Sequence, residues 1–432
     1  MAHVIPFRGV RYNLAKVKDL SSVVTQPYDR IGKEEQERYY KQNPYNIVRI
    51  IKGKPLAGDN GENVYTRAAA FFAQWQKEGI LRRDEIPSLY VYHQEYVFDG
   101  KPLTRSGVVA LGKLEPERVH AHERTLKGPK EDRLRLMRAT EANFGHIFML
   151  YSDPTRRADQ VLHEAIAGKT TTAEARDDFG NRHLLWQVSD TAAITQVQKA
   201  LADKELYIAD GHHRYETAVN YMRECLAKGW QPAASESFDV RMVTLFNIDE
   251  PGMTIRPWHR LVHGIAGFHF ERFLAEAKRD FHVKRHFSLV ETQNAMAADV
   301  AAHTFGAYVA GTFSTLTLRD ERLMDRLIPD RSSDWKRLDV SILHTAILER
   351  LLGIDAKALE EERNITYIGD PIAAVGSVDR GDEQLLFLVN PTRPEEVRRV
   401  ADHGEKMPQK STDFYPKLLT GLVLSKMEID KQ

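Results

Sequence analysis

The sequence predicts an α+β fold, and three stretches of the 432-residue chain carry that prediction. Residues 206–225 are typical of a buried strand, a tight turn and a helix, because an apolar run is followed by Asp-Gly and then by apolar residues three and four apart. Residues 89–114 contain two β-rich runs separated by Asp99-Gly100, which is a strong hairpin signal. Residues 62–77 have one apolar face at helical spacing, and Gly79 follows in the capping position.

The remaining elements are predicted from the same patterns of apolar residues and turn formers. Predicted strands cover residues 4–5, 46–51, 144–151, 183–188, 240–248 and 384–389, with two more in 304–318. Predicted helices cover residues 130–141, 156–167, 191–202, 270–280 and 337–352, and a last one begins after a cap at Thr392. The linker at 249–252 then suggests three parts, which are an N-terminal α/β domain (1–87), a central core (88–250) and a C-terminal α/β domain (251–432).

Composition narrows the class of protein. Lys plus Arg and Asp plus Glu both number 61, so the net charge is zero and gives no general attraction to nucleic acid. The single cysteine, Cys225, excludes an intrachain disulfide, fits a reducing cytosol and is expected to fill the core. The first residues show no signal peptide, and no apolar run is long enough to cross a membrane. A cytoplasmic protein with no membrane partner is therefore expected.

The turn at Asp210-Gly211 is the best candidate for a ligand site. A helix that starts directly after a tight glycine turn leaves its first backbone N–H groups unpaired, and such an end binds anions. His212, His213 and Arg214 fall in that first turn, where the helix dipole disfavours cations. An anionic ligand, most simply a phosphate, would account for this concentration of polar residues. The alternative is that Asp210 only caps the helix and Gly211 only makes the turn.

Two further segments combine residue types that could carry chemistry, although each is weak taken alone. His122-Glu123 lies in a polar stretch, and Lys410-Ser411-Thr412 lies in a loop with two prolines. Solvated surface positions would explain both. Zinc is a poor interpretation of the adjacent histidines, because neighbouring helical residues point about 100° apart. The common motifs of nucleotide-binding enzymes, such as the P-loop, are absent from the sequence.

The stretch IADGHHRYET resembles the second sequence box of the ParB/sulfiredoxin superfamily. The whole chain resembles the uncharacterised prokaryotic family numbered 1015 among the domains of unknown function. The segments that carry this resemblance run nearly end to end, and they are IPFRGVR, QPYDRI, NPYNIVRI, HERTLKGPKEDRLRLMRAT, YIADGHHRYETA, LVNPTRP and MPQKSTDFYPKLLTGLV. The resemblance implies a ParB/sulfiredoxin-like core with flanking α/β subdomains.

Within that superfamily the chain is similar to free L-serine kinases, which share a His-Glu pair, an Asp-Gly-His-His-Arg box and a C-terminal Lys-Thr-Thr loop in the same order. The resemblance implies that Glu123, next to His122, is the catalytic base and that Gly211, His212, His213 and Arg214 hold the phosphates of ADP or ATP. It also implies that Asp210 holds Mg²⁺. Lys410, Ser411 and Thr412 would then bind the acceptor, L-serine or a similar hydroxyl compound. The loop departs from the kinases in having Gln409 where they have proline.

Two other functions remain open at this point. The box could bind a nucleotide in a switch or an NTPase that transfers no phosphoryl group to a small molecule. A ParB-like nucleic-acid-binding module is less favoured, since no helix-turn-helix region and no basic character are evident. Sulfiredoxin chemistry is disfavoured because His212 occupies the place of that enzyme's cysteine.

Overall fold

The computed structural model describes residues 3–60, 63–121 and 127–431 of the chain. These residues form two compact units. The first unit comprises the described residues up to 121, residues 127–253 and residues 416–431, and the second comprises residues 254–415. The predicted three-part division stays a prediction, but residues of the predicted N-terminal domain fall in the same unit as residues of the predicted core.

A mixed sheet forms the centre of the first unit. In chain order its described strands are β1 (Val4–Ile5), β2 (Leu89–Phe98), β3 (Lys101–Lys113), β4 (Val119–Ala121), β5 (Ile147–Tyr151), β6 (Ala173–Arg176), β7 (Arg182–Val188), β8 (Leu206–Asp210) and β9 (Val240–Asn247). Across the sheet the order is β4-β8-β5-β9-β3-β2-β7-β6, and β1 pairs with the end of β3. Strands β4 and β8 are parallel, as are β5 and β9, and the other pairs are antiparallel. The predicted hairpin is confirmed, with Asp99 and Gly100 both at positive φ as its tight turn requires.

The first unit also contains helices, several of which contribute residues to the apolar core of this sheet. The helices are α1 (Lys33–Gln42), α2 (Val48–Ile51), α3 (Asn63–Lys77), α4 (Lys127–Thr140), α5 (Arg157–Ile166), α6 (Thr191–Leu201) and α7 (His212–Ala227). Helix α4 packs against α7, and α5 packs against α6. Val91, Ile147 and Val243 of the sheet pack in one cluster with α-helical residues such as Val197 and Cys225. The buried Cys225 is therefore core filler, as predicted.

Short strand pairs tie the two ends of the chain into the first unit. Val10–Tyr12 pairs with Leu81–Arg83, Ser425–Lys426 pairs with Ala142–Asn143, and Ile429–Asp430 pairs with Gln231–Pro232. Thr25 and Thr420 exchange two backbone hydrogen bonds of 3.0 and 2.8 Å. The C-terminal segment thus lies beside the N-terminal segment and the central sheet of this unit, although about 400 residues of sequence separate them.

The second unit has its own antiparallel sheet. Its strands are β10 (His259–Val262), β11 (Phe281–His286), β12 (Thr304–Val309), β13 (Thr312–Leu318), β14 (Ile365–Ile368) and β15 (Leu385–Leu388), in the order β11-β13-β12-β15-β10-β14. Thr254–Arg256 pairs separately with Asp413–Tyr415. Its helices are α8 (Phe270–Ala277), α9 (Leu289–Ala297), α10 (Arg322–Leu327), α11 (Ser333–Lys336), α12 (Asp339–Ile342), α13 (Arg350–Leu352), α14 (Ala356–Glu360), α15 (Pro371–Asp379) and α16 (Pro394–Asp402), and a π-helical stretch, Leu343–Glu349, joins α12 to α13.

Two local predictions were wrong. The apolar run at 46–51, predicted as a strand, contains the short buried helix α2, because a run of this length carries too little periodicity to separate strand from helix. Thr392 does not cap α16. Its hydroxyl donates to the backbone oxygen of Ser411 at 2.8 Å, and the cap position belongs to Arg393 instead. Among the described residues no helix is long and apolar enough to span a membrane.

Candidate functional site

The Asp210–Arg214 turn joins the end of β8 to the start of α7, as the sequence predicts. Gly211 has φ +96°, a conformation that side chains disfavour. A Cβ on Gly211 would also lie 3.0 Å from the guanidinium of Arg214, so two independent constraints require glycine there. Gly211 is the N-cap residue of α7 and makes no side-chain cap hydrogen bond, so it does not supply the acceptor that a Ser, Asp or Asn cap would give to the first turn.

Two cations hold the Asp210 carboxylate. Oδ2 accepts a 2.9 Å hydrogen bond from Arg214 Nη2, and Oδ1 lies 3.6 Å from Lys417 Nζ. Burial acts to raise the pKa of Asp210, but Lys417, Arg214, Arg30 and His212 outweigh it and hold the pKa below its usual range. The carboxylate is therefore ionised at neutral pH. It orients a guanidinium and an ammonium group at the mouth of the turn.

Arg214 is engaged within the turn itself. Besides Asp210, it donates through Nη1 to the backbone oxygen of His146, and it is only 6% exposed. His212 is buried and His213 is half-buried. Burial is the main cause that lowers the pKa of His213, so this imidazole is neutral at pH 7 and does not oppose the helix dipole. The predicted contacts of these residues with a phosphate stay a prediction.

His122 and Glu123 lie outside the described residues, but the strand that leads to them is described. Strand β4 ends at Ala121 and runs parallel to β8, with Ala121 opposite Ile208. Parallel strands present their carboxyl ends at the same edge of a sheet. The chain therefore leaves β4 at the edge where β8 delivers Asp210.

A cavity lies beside the turn, on the same side of the sheet as α4 and α7. Arginines from three elements line it, namely Arg133 of α4, Arg214 of α7 and Arg241 of β9. Tyr28 closes one wall, with the Arg133 guanidinium 4.0 Å above its ring. Tyr28 is half-buried, and burial raises the pKa of Tyr28 to about 12.

A buried polar network positions the segment that carries Lys417. Arg105 is fully buried between the rings of Phe148 and Phe246, at 4.7 and 4.8 Å from their centroids. It donates to Gln94 Oε1 and to the backbone oxygen of Pro416. Gln94 in turn donates to the backbone oxygen of Lys417 at 2.9 Å. The extended C-terminal segment is thus fixed to the sheet at the point where Lys417 meets Asp210.

Lys410, Ser411 and Thr412 belong to the second unit. Arg260 is fully buried there and donates to the backbone oxygen of Lys410 at 3.1 Å. Ser411 is buried and its hydroxyl donates to the backbone oxygen of Pro408 at 2.5 Å, which closes the loop on itself. Lys410 and Thr412 are half-buried, and the Lys410 ammonium lies 5.6 Å from the centroid of the Trp258 ring. The loop is a structured one.

The described residues contain no group of three or more His, Cys, Asp or Glu side chains placed to hold a metal ion. This leaves Asp210 as a single carboxylate, so Mg²⁺ binding there stays a prediction.

The model of a family described as a protein of unknown function, DUF1015, matches residues 4–341. This match covers well over half of the chain. The protein belongs to the DUF1015 family. No curated protein matches the chain.

Several solved structures are similar to this DUF1015 protein at very low identity. A conserved hypothetical protein from Pyrococcus furiosus is 12% identical, over 72% of this chain and 92% of that one, with a TM-score of 0.35. A free serine kinase in complex with AMP is 11% identical over 71% of this chain and 86% of that one, also with a TM-score of 0.35. A C-terminally truncated SbnI from Staphylococcus aureus is 11% identical over 72% and 85%, with a TM-score of 0.34.

Sequence patterns missed four members of the site. They are Lys417, Arg133, Arg241 and Tyr28, and each lies in a stretch with no local pattern typical of a ligand site. The QPYDRI and PKLLTGLV stretches of the family resemblance contain Tyr28 and Lys417, so they were the available signal. Their meaning depends on contacts between segments far apart in sequence.

The two glycines that flank α7 offer a matched test of the turn. We expect Gly211→Ala to weaken ligand binding at the turn by at least tenfold, because it forces a strained φ and displaces Arg214. Gly229→Ala is the control, since Gly229 has φ +79° and open space where the added Cβ would lie. Both variants should lose about 1 kcal/mol of stability, measured by urea unfolding. Equal binding of ADP to the two variants by calorimetry would contradict the predicted role of Gly211.

Proposed function

We propose that this DUF1015 protein is a small-molecule phosphotransferase, a nucleotide-dependent kinase of free L-serine or a similar hydroxyl compound. The observation that carries the proposal is the strand–glycine turn–helix unit at Asp210–Arg214, whose helix start lacks a side-chain cap and is surrounded by Arg214, Lys417 and Arg30. Helix starts of this kind bind phosphate through backbone N–H groups. Assignment of the core to the ParB/sulfiredoxin superfamily is part of the same proposal.

The first turn of α7 would bind the phosphates of ADP or ATP. Its backbone N–H groups donate to phosphate oxygens, and neutral His213 can donate one more hydrogen bond. Lys417 supplies a positive charge at the mouth of the turn, where negative charge develops on the transferred group. Arg214 acts through Asp210 and the His146 carbonyl, which keep the turn in shape.

Asp210 is the residue proposed to hold Mg²⁺. Magnesium in such sites takes one or two carboxylates from the protein and its other ligands from substrate phosphates and water. One ionised carboxylate at the phosphate-binding turn fits that requirement. The metal would neutralise charge on the phosphates, and the protein's contribution is to hold the carboxylate in place through Arg214 and Lys417.

Glu123 is proposed as the base that orients the attacking hydroxyl, with His122 beside it. The support comes from the described strand β4, which ends at Ala121 opposite Ile208 and next to the Asp210 turn. In this proposal the glutamate acts on a substrate bound at the same edge of the sheet.

Lys410 and Thr412 are proposed to bind the carboxylate of the acceptor, with Ser411 shaping the loop through its bond to Pro408. Arg260 stabilises the loop by donating a hydrogen bond to the backbone oxygen of Lys410. A lysine ammonium is an ordinary partner for a carboxylate or a phosphate.

The direct test is an assay of the purified protein with Mg²⁺, ADP or ATP, and L-serine. We expect O-phosphoserine to form with one of the two nucleotides, because the proposed site would combine a phosphate-binding turn with a base. A panel of other small hydroxyl compounds identifies the acceptor if L-serine fails. Nucleotide binding without phosphorylation of any acceptor in the panel would contradict the proposed kinase activity. A nucleotide-binding switch or an NTPase would then be the remaining function.

A further inference from the structure

Arg241 is a buried cation that none of the proposed roles uses. It projects from β9, is 4% exposed and lines the cavity beside α4 and α7. Its Nη2 donates to the backbone oxygen of Gly145 at 3.1 Å. Its Nε and Nη1 are buried and have no hydrogen-bond partner among the described residues. Buried donors are almost always paired in native proteins, so these two point to a ligand.

The charges around the cavity do not balance. Arg133 donates to Asp132, and Arg214 donates to Asp210, so each has a carboxylate partner. Arg241 has none within ion-pair distance among the described residues. Burial lowers the pKa of Arg241 to about 9, and Arg214 and Arg133 add repulsion, so it remains protonated at neutral pH. The cavity therefore holds one positive charge more than its partners neutralise.

The cavity is small. About 40 Å³ is open to the centre of a water molecule, which is room for about three waters or one small anion. Its other walls include apolar side chains, namely Pro27, Ile51, Leu136, Met137 and Phe144. The protonated phenol of Tyr28 closes one side. Such a space fits an inorganic oxyanion.

We propose that this cavity binds a phosphate-sized oxyanion, with Arg241 as its principal donor and Arg133 and Tyr28 as further walls. The oxyanion would supply the counter-charge and the acceptors that Arg241 lacks. Arg241 lies on β9, outside the Asp210–Arg214 turn, and Arg214 of that turn lines the cavity beside it. The shared chemistry is phosphate, which could be free in solution or part of a nucleotide.

Thermal unfolding of the full-length protein in phosphate tests the site. Wild type should show a saturable rise in unfolding temperature with inorganic phosphate, relative to chloride at the same ionic strength. Arg241→Met should weaken phosphate binding by on the order of 10- to 100-fold, since it removes charged donors. Arg223→Met is the control, because Arg223 is exposed on α7 and its loss changes net charge equally. In chloride alone Arg241→Met should be no less stable than wild type, since it removes an uncompensated buried charge.

A second ligand separates the two sources of phosphate. If free phosphate is the ligand, Arg241→Met loses the rise in unfolding temperature that phosphate causes. Its affinity for ADP then stays within about threefold of the wild-type affinity. If ADP affinity falls together with phosphate affinity, the site is supported and its anion comes from the nucleotide. The proposal is overturned if wild type shows no effect beyond chloride, or if Arg241→Met responds to phosphate as wild type does. Should Arg241→Met not fold, Arg241→Lys keeps the charge with fewer donors, and an unchanged phosphate affinity in that variant also overturns the proposal.

Discussion

Glu123→Gln is expected to lower the rate of phosphoryl transfer by ~10²–10⁴-fold while nucleotide affinity stays unchanged. Glutamine keeps the size of the side chain but cannot accept the proton of the acceptor hydroxyl. The turn at Asp210–Arg214, which is proposed to hold the phosphates, is not altered. Single-turnover kinetics with the acceptor from the panel assay, together with calorimetric titration of the nucleotide, separates the two effects.

Glu117→Gln is the matched control for that experiment. Glu117 is exposed in the loop just before β4, and its substitution changes the charge of the protein by the same amount. This variant should transfer phosphate at the wild-type rate. A Glu123→Gln variant that transfers phosphate as fast as Glu117→Gln would contradict the proposed role of Glu123 as the base. Lost nucleotide affinity in Glu123→Gln would instead indicate a structural role for the glutamate.

Arg105→Ala is expected to lower the free energy of unfolding by about 3–5 kcal/mol. The guanidinium fills the space between Phe148 and Phe246, and its removal leaves a cavity there. Its loss also leaves Gln94 Oε1 and the Pro416 carbonyl without their buried donor. Urea unfolding measures the change in the free energy of unfolding. The slope of that free energy against urea concentration reports whether the segment around Lys417 is released in the variant.

Arg182→Ala provides the comparison on the same sheet. Arg182 is partly exposed on β7, where it forms ion pairs with Glu174 and Glu95. Exposed ion pairs of this kind contribute little, so the variant should remain within about 1 kcal/mol of wild type. If Arg105→Ala is equally mild, the Arg105 network does not hold the C-terminal segment. A loss of nucleotide binding in Arg105→Ala but not in Arg182→Ala would connect that network to the site through Lys417.

Short-range patterns predicted much of the fold. The hairpin at Asp99-Gly100, the helices α3 and α7 and the strand before Asp210 all follow from residues within one element, because turn chemistry and apolar spacing act locally. The prediction of a strand at 46–51 was wrong because this segment lacks such a local pattern. Its six residues contain no periodic signal, and packing against α3 decided its conformation.

The strand, glycine turn and helix at Asp210 could be predicted from the amino-acid order. The ligand chemistry of the turn stays a prediction, which rests on a carboxylate, a glycine and a cluster of basic residues within five positions. The residues that surround the turn in space could not be predicted from the sequence. Lys417 contacts Asp210 although about 200 residues of sequence separate them. Arg241 and Tyr28 line one cavity although they too lie far apart in the sequence. Such contacts are set by how strands and helices pack. The sequence around a single arginine or lysine in a strand or loop does not indicate which residue it will contact. The physical reason is that secondary structure depends on neighbours along the chain, whereas a binding site depends on neighbours in space.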